Sequence, residues 1–202
     1  MQNRVNPFGN IIETKARGLW MGNRGKIHNY KKQITRAFKL KAWLTCKLEF
    51  NSRRREVMGE KTYTELFFLD EATAFAAGHR PCFECRRNDF VYFKKMWLQA
   101  NTDFGFDENI SIQQIDSVLH NERMNADGFK KIFEININDL PNGSFISIDD
   151  CAYLLYKSQL HLWTPLGYEK SKLKTENKIV TVLTPHSIVK MFKAGYAPQM
   201  SV

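Results

Sequence analysis

The chain has 202 residues and a net charge of +9, with 43% hydrophobic and 25% charged residues, a composition typical of a folded protein with its own core. It has no run of about 18 apolar residues, and residues 1–10 lack the pattern of a secretory signal, so the sequence predicts no membrane span and a cytoplasmic location. In that reducing compartment its four cysteines favour a metal site over structural disulfides.

The first third of the chain predicts strands separated by turns. Residues 1–41 are expected to be irregular or partly extended. Alternating apolar residues predict a strand over Ala42–Phe50, and the chain is then expected to turn and return as a partner strand over Glu56–Met58. Tyr, Thr and Phe predict a further strand over Thr62–Leu69. These strands lead directly into the segment with the clearest chemical pattern.

Helices are predicted in the middle of the chain. Asp70 fits the N-cap of a short helix over Glu71–Ala77, which Gly78 ends. Apolar residues at helical spacing predict two longer helices over residues 83–100 and 111–124.

From about residue 129 the pattern changes to short strands and one closing helix. Pro185 is expected at the first position of that helix, with Thr184 as its cap and Gly195 at its end. Cys151 lies in an apolar stretch and is expected to be in the core. The predicted strands are Phe145–Ile148, Ala152–Tyr156, Leu160–Trp163 and Lys178–Leu183.

The most informative segment is residues 65–86, ELFFLDEATAFAAGHRPCFECR. Cys82 and Cys85 form a C-x-x-C at the start of a predicted helix, where two thiolates can reach one ion and the helix dipole favours their charge. Cys82 follows a helix rather than a strand, which argues against a thioredoxin-like redox pair. The spacing therefore indicates zinc, and two buried cysteines without metal are the alternative.

An aromatic strand, a helix of small residues and the sequence A-A-G-x-R-P-C-x-x-C follow one another over roughly residues 65–90. This order resembles the metal-binding domain of the Ada alkylation-repair protein and its relatives. The resemblance implies a small zinc fold that can contact DNA. The chain as a whole also resembles a bacterial family without an assigned function. The residues that match the Ada pattern are Phe67, Ala72, Ala76, Ala77, Gly78, Arg80, Pro81, Cys82 and Cys85.

The chain departs from the Ada pattern in its upstream cysteines. The Ada domain has two of them, whereas only Cys46 precedes Cys82 here, so this half of the chain cannot build a site of four cysteines. A site of three cysteines and one histidine is the expected completion. We expect Zn²⁺ to be bound by Cys46, Cys82, Cys85 and His79, with His28 as the alternative to His79.

The metal motif and the order of elements together predict the fold. Strands and helices come in blocks, which indicates an α+β protein rather than an alternating α/β one. We expect a small, treble-clef-like zinc-binding half with helices over residues 1–125. A strand-rich, small barrel-like half that ends in a helix should follow over residues 126–202. One compact domain is the alternative.

Basic residues are concentrated in the first third of the chain. Residues 1–61 contain 15 Lys and Arg against 4 Asp and Glu, whereas residues 62–202 contain 15 against 17. A basic segment of this kind attracts polyanions and predicts nucleic-acid binding. A solvated, solubilising surface is the alternative. The candidate contacts are Arg24 and Lys26 in a Gly-containing segment, and Arg53, Arg54 and Arg55 in a predicted turn.

A second candidate site lies on the helix predicted over residues 111–124. Asp116, His120 and Arg123 are spaced so that they share one face, where a carboxylate can orient an imidazole as a general base. With Glu122 they suggest a hydrolase or nuclease-like enzyme with a structural zinc. A surface ion-pair cluster explains the same spacing.

The basic segment and the metal motif together favour a zinc-containing nucleic-acid-binding protein that acts in DNA repair or modification. The hydrolase is the first alternative. A non-catalytic regulatory or interaction module is the second.

Overall fold

A computed structural model describes residues 1–52, 56–174 and 177–202. Within these residues the chain forms two six-stranded β-sheets and four α-helices. The strands and helices come in blocks, which confirms the predicted α+β class. No helix of the described residues has the length and apolar character needed to cross a membrane.

The first sheet has the strand order β2-β1-β5-β3-β4-β6. Strand β4 pairs in parallel with β6, with Leu44 opposite Arg80 and Thr45 opposite Pro81. Because the paired strands run in the same direction, Cys46 and Cys82, which directly follow the paired residues Thr45 and Pro81, come close together. The strands are β1 (Gln2–Val5), β2 (Ile11–Glu13), β3 (Trp20–Asn23), β4 (Leu44–Cys46), β5 (Leu66–Phe68) and β6 (Arg80–Pro81).

The second sheet is antiparallel, with the order β11-β10-β9-β8-β12-β7. Within the described residues β11 and β7 are its two edges and do not pair with each other, so the sheet is open and the expected small barrel is wrong. The strands are β7 (Phe133–Asn136), β8 (Phe145–Ile148), β9 (Cys151–Tyr156), β10 (Gln159–Thr164), β11 (Gly167–Leu173) and β12 (Ile179–Val182).

Helix α1 (Glu71–Ala76) is buried along its whole length between the two sheets. Ala72 and Ala76 pack against the second sheet, Ala74 and Ala77 against the first, and Phe75 against the other helices. Alanines on two sides let both sheets approach the helix backbone closely. The other helices are α2 (Arg87–Ala100), α3 (Ile112–Arg123) and α4 (His186–Lys193).

Both ends of α1 are satisfied by the devices that the sequence predicts. Asp70 is the N-cap, and its carboxylate accepts hydrogen bonds from the Thr73 backbone N–H at 2.8 Å and the Thr73 hydroxyl at 2.6 Å. At the other end Gly78 has a φ of +83°, and the backbone N–H of His79 reaches the Ala74 carbonyl at 2.9 Å. This is a Schellman end, which needs the left-handed conformation that glycine adopts at little cost.

Several predicted boundaries are wrong in the first half. The strand expected over Ala42–Phe50 is only β4, the strand expected over Thr62–Leu69 is only β5, and residues 56–58 form no strand. Residues 1–41 instead contain three short strands of the first sheet. The helix expected from residue 83 begins at Arg87, because turns occupy residues 83–86.

Two local predictions also fail in the second half. Thr184 does not cap α4, because its hydroxyl accepts the Phe145 backbone N–H at 2.9 Å. The N-terminus of α4 is instead satisfied by Glu122 of α3, whose carboxylate accepts the Ser187 backbone N–H at 3.1 Å and hydroxyl at 2.6 Å. Cys151 is exposed at the start of β9 rather than in the core.

Candidate metal centre

Three cysteine thiols form the candidate metal centre. The sulfur atoms of Cys46, Cys82 and Cys85 all lie within 4.8 Å of one another, and each residue is at most 8% exposed. Cys46 ends β4, and the other two lie in the turn between β6 and α2. The cluster therefore joins two segments that are distant in sequence.

Backbone hydrogen bonds fix the positions of the three thiols. The Cys82 N–H donates to the Thr45 carbonyl at 2.9 Å, which continues the β4–β6 ladder. The Lys47 N–H donates to the Cys85 sulfur at 3.4 Å, as backbone amides commonly do around thiolate ligands. The arrangement of donors thus follows from the sheet pairing and the tight turn.

The three thiols share their protons unequally. Hydrogen bonds from the thiols of Cys46 and Cys85 lower the pKa of Cys82 to about 2, whereas the hydrogen bond to Cys82 raises the pKa of Cys46. A thiolate held among further thiols is the donor set of a soft or borderline cation such as Zn²⁺, which displaces the remaining protons when it binds. The residues present therefore fit zinc.

A cavity of about 470 Å³ lies directly against the three thiols. All three cysteines line it, and among the described residues no histidine or carboxylate joins their group of possible metal ligands. The wall is mostly apolar and aromatic, with a few charged groups. Besides the cysteines, it is formed by Met21, Lys47, Leu48, Phe50, Val57, Tyr63, Glu65, Phe67 and Glu84.

Glu65 is a buried acid in the wall of this cavity, and no sequence pattern points to it. It is 4% exposed, and one carboxylate oxygen accepts the Met58 backbone N–H at 2.7 Å. The other oxygen, Oε1, has no hydrogen-bond partner among the described residues. A single acid just before a short strand forms no periodic pattern, so only the folded chain shows that Glu65 and the thiols share one cavity.

Neither predicted histidine lies with the thiols, so His79 and His28 are corrections to the ligand set. His79 packs between Trp43 and Phe68, with ring centroids 5.1 and 4.6 Å away, and its Nε2 accepts from Arg24 at 3.2 Å. His79 precedes Cys82 by three residues, and the chain between them is mostly extended. At about 3.3 Å per residue, the backbones of the two residues are separated by about 10 Å.

His28 is buried in its own hydrogen-bond pair. Its Nδ1 lies 2.6 Å from the Thr64 hydroxyl, and its Nε2 lies 3.3 Å from the Gly59 carbonyl oxygen. Both ring nitrogens are therefore used within the core. Within the described residues, the group of possible metal ligands contains the three cysteines and no histidine or carboxylate.

The predicted catalytic group on α3 is also a correction, because Asp116 is paired elsewhere, although Arg123 lies 3.2 Å from a ring nitrogen of His120. Both carboxylate oxygens of Asp116 accept from the Arg80 guanidinium at 2.7 Å. Arg123 is 1% exposed and donates to the carbonyl oxygens of Gly78, at 2.7 Å, and Lys41. His120 packs edge-on against Phe38. Asp116 therefore orients an arginine rather than the imidazole, and the predicted general base is absent.

Among the predicted nucleic-acid contacts, Arg24 is buried, which corrects its expected role. Its guanidinium donates to the Gly9 carbonyl at 3.0 Å and lies over the Trp43 ring. Lys26 is half-buried and donates to the Glu60 carbonyl. The other three predicted contacts, residues 53–55, lie outside the described residues.

The chain matches no protein-family model, no curated protein and no solved structure in the comparisons made with each. The functional argument therefore depends on the residues and their geometry.

Proposed function

We propose that this protein binds one zinc ion through Cys46, Cys82 and Cys85 and uses the fourth coordination position for a ligand in the adjoining cavity. The observation that supports this is the placement of three mutually close, buried thiols in the wall of a cavity of about 470 Å³. Zinc sites with four protein ligands are usually structural, whereas catalytic sites keep three protein ligands and an open position. The open position makes this a site of binding or reaction.

Zinc analysis of cysteine variants tests the ligand set. Wild-type protein should contain about one zinc per chain, and Cys46→Ser should lose the metal and melt at a lower temperature, because metal binding contributes to folding. Cys151→Ser is the matched control, since Cys151 is exposed and is not part of the cluster; it should keep both properties. A metal-free wild-type protein with full stability would disprove the proposal.

Cobalt substitution tests the open position. Co²⁺ in the site should show absorption bands from thiolate ligands, and a small ligand such as imidazole should shift its d–d bands by binding at the fourth position. A spectrum that does not respond to imidazole would mean that the coordination is closed.

The second proposed activity is nucleic-acid binding, and one described segment favours it. Residues 26–41 contain six Lys and Arg and no Asp or Glu. Lys31, Arg36 and Lys39 are exposed, and Tyr30 is 77% exposed, where its ring can stack on a base. Together with the zinc site, this segment supports a zinc-containing nucleic-acid-binding protein. DNA repair or modification is the setting that the Ada resemblance implies.

Salt-dependent binding tests this activity. Affinity for a labelled oligonucleotide should fall steeply with salt, because each phosphate contact releases condensed counterions. The triple variant Lys31→Ala, Arg36→Ala, Lys39→Ala should reduce the slope of log K against log salt by up to about 2–3.

The control variant for this test changes three exposed lysines outside residues 26–41. Lys95→Ala, Lys172→Ala and Lys178→Ala remove the same net charge from residues that are also exposed, and they should leave the slope unchanged. An equal loss in both variants would indicate only a general attraction by net charge. Absence of binding at low salt would disprove the nucleic-acid proposal.

A further inference from the structure

A second, smaller cavity of about 100 Å³ lies near the C-terminal end of α1, and none of its lining residues belongs to the thiol cavity. Its wall contains three basic residues, Arg24, Arg123 and Lys130. It reaches the surface, because Asn10, Ala37, Gly128 and Phe129 of its lining are exposed. The remaining lining residues are Phe8, Gly9, Trp43, Ala77 and Met124.

Two of the basic groups are held against one aromatic ring. The guanidinium carbons of Arg24 and Arg123 lie 3.8 and 3.9 Å from the ring centroid of Trp43. Two guanidinium groups cannot stack on the same face of the indole at these distances, so the indole lies between them. Such stacking fixes both cations and leaves the edges of their planes free to donate hydrogen bonds.

Carbonyl oxygens and two histidines hold these basic groups in place. Arg24 donates to Gly9 and to His79, as described above. Arg123 donates to the carbonyls of Gly78 and Lys41 and lies 3.2 Å from the His120 ring nitrogen. Lys130 donates to the carbonyl of Ala76 at the end of α1. The positions are therefore set before any ligand arrives, which lowers the cost of binding.

Among the described residues, no carboxylate is bonded to the basic groups of this cluster. None of the described carboxylates forms an ion pair with Arg24, Arg123 or Lys130, and the nearby Asp116 has both oxygens on Arg80. Burial and the neighbouring cations lower the pKa of Lys130 to about 7, and burial lowers that of Arg123 to about 9. Buried like charges without an anion are unfavourable.

One donor in the cluster also has no acceptor. The Nε–H of Arg123 makes no hydrogen bond to the described residues. The donor is buried, because the whole residue is only 1% exposed. Buried donors of this kind normally have a partner, from the protein or from a bound molecule. The unpaired donor of Arg123 and the unpaired positive charges of the cluster both indicate an anionic ligand that accepts hydrogen bonds.

We propose that this cavity binds a tetrahedral oxyanion of the phosphate type, held by Arg24, Arg123 and Lys130. Its volume of about 100 Å³ is several times the roughly 10–15 Å³ that a single water molecule needs, which is room for one such anion. Arginine and lysine are the side chains that most often bind phosphate oxygens. The anion is either free phosphate or a terminal phosphate of a nucleic acid, since Ala37 of the rim belongs to the basic segment 26–41.

Binding of inorganic phosphate, measured by equilibrium dialysis and by thermal melting, tests the site. At equal ionic strength, phosphate should bind with a Kd of about 1 mM or tighter and raise the melting temperature relative to chloride. Lys130→Met should weaken binding at least ten-fold, whereas Lys131→Met should not, because the adjacent Lys131 is exposed and outside the cavity.

A conservative variant and a zinc-free sample serve as controls for this test. Lys130→Arg should retain phosphate binding, so a folding defect in Lys130→Met can be distinguished from loss of the site. Removal of zinc from the thiol centre should not abolish binding, which separates this proposal from the metal site. Absence of phosphate binding to the wild type, or equal binding to Lys130→Met and wild type, would overturn it.

Oligonucleotides with and without a 5′-phosphate identify the source of the anion. Tighter binding of the phosphorylated strand, lost in Lys130→Met, would support the site with a nucleic-acid terminus as its ligand. Equal binding of the two strands, with inorganic phosphate still bound, would support it with the free anion as ligand. Failure of both probes to bind at the cavity would overturn the proposal.

Discussion

At the residue scale, the buried ion pair between Arg80 and Asp116 explains why Asp116 of α3 does not orient a catalytic imidazole. The two side chains are 5% and 4% exposed, and the pair is bidentate. Arg80 also belongs to β6, directly before the thiol-bearing turn. The pair therefore joins α3 to the strand that positions Cys82, and it holds the thiol-bearing turn in place.

Asp116→Asn should lower the free energy of unfolding by about 3–5 kcal/mol, because it leaves the Arg80 charge buried without its partner. His120→Ala should cost less, about 1–2 kcal/mol, because the half-buried ring contacts Phe38 and Arg123 but is not the partner of a buried ion pair. Chemical denaturation of both variants measures the difference. A large effect of His120→Ala on activity, with Asp116→Asn fully stable, would restore the hydrolase interpretation.

Lys130 gives the cluster a pH dependence whose sign follows from its lowered pKa of about 7. Below that pH the side chain is charged in both the folded and the unfolded protein, and the folded state bears the whole cost of the buried charge. Between about 7 and the unfolded value of 10.5, the unfolded state binds more protons, so this contribution to stability rises with pH. Lys130→Met should remove that rise, and melting between pH 6 and 9 at fixed salt would show it.

At the element scale, the local signals of the sequence predict α1 well and the thiol cluster only in part. Asp70 and Gly78 act on neighbouring backbone, so residue type alone predicts both ends of the helix. The pairing of β4 with β6 joins residues 36 positions apart, and no local pattern specifies it. The prediction of His79 as a ligand fails for the same reason, because closeness in sequence does not give the direction of a side chain after a Schellman turn.

The strands that the sequence misses in the second half are both edges of the sheet. Strand β11 has the sequence GYEKSKL, and β7 has FEIN. Edge strands are exposed along one side and commonly carry charged residues that discourage pairing with other chains. They therefore lack the apolar run that predicts β8, β9, β10 and β12.

Gly78→Ala should destabilise the protein through two effects. A β-carbon at this position would lie 2.4 Å from the Arg123 Cδ, and the φ of +83° is strained for alanine. Gly105→Ala is the matched control, with φ +67° and no atom within 4 Å of its β-carbon. It should show the conformational cost alone, about 1 kcal/mol. Equal losses of unfolding free energy in the two variants would show that the contact with Arg123 has no energetic effect.

The turn between β8 and β9 consists of Asp149 and Asp150, with φ values of +50° and +57°. Positive φ at both positions is typical of a type I′ hairpin turn, in which Asn-Gly is preferred. Asp149→Asn with Asp150→Gly should therefore raise the free energy of unfolding by about 0.5–1 kcal/mol. The zinc content of this variant should equal that of the wild type. A lower melting temperature would contradict the assignment of the turn.

At the scale of the whole molecule, residues 1–125 and 126–202 share their cores. Phe75 of α1 packs with Met191 and Phe192 of α4, and Ala72 packs with Phe145 and other residues of the second sheet. The Tyr168 hydroxyl donates to the Asp70 carboxylate at 2.7 Å. These contacts favour the single compact domain, and a division at residue 125 stays a prediction.

Separate expression of the two segments tests this organisation. Each segment alone should lack cooperative thermal unfolding, because removal of the other exposes the apolar residues of α1 and α4 to water. Co-expression should restore a folded complex if the segments associate. A cooperative transition and normal zinc content in the first segment alone would instead establish two independent domains.

The N-terminal end of α1 depends on residues that follow it by more than half of the chain. The Gln199 backbone N–H donates to Glu71 at 3.0 Å, across 128 positions, and its carbonyl accepts the Ala72 N–H at 3.1 Å. The Ser201 N–H donates to Asp70 at 3.1 Å. A ribosome makes the thiol-bearing turn long before it makes these partners. The nascent chain therefore presents its cysteines while α1 is still incompletely capped, and zinc that arrives during synthesis would meet the thiols before the helix beside them is complete.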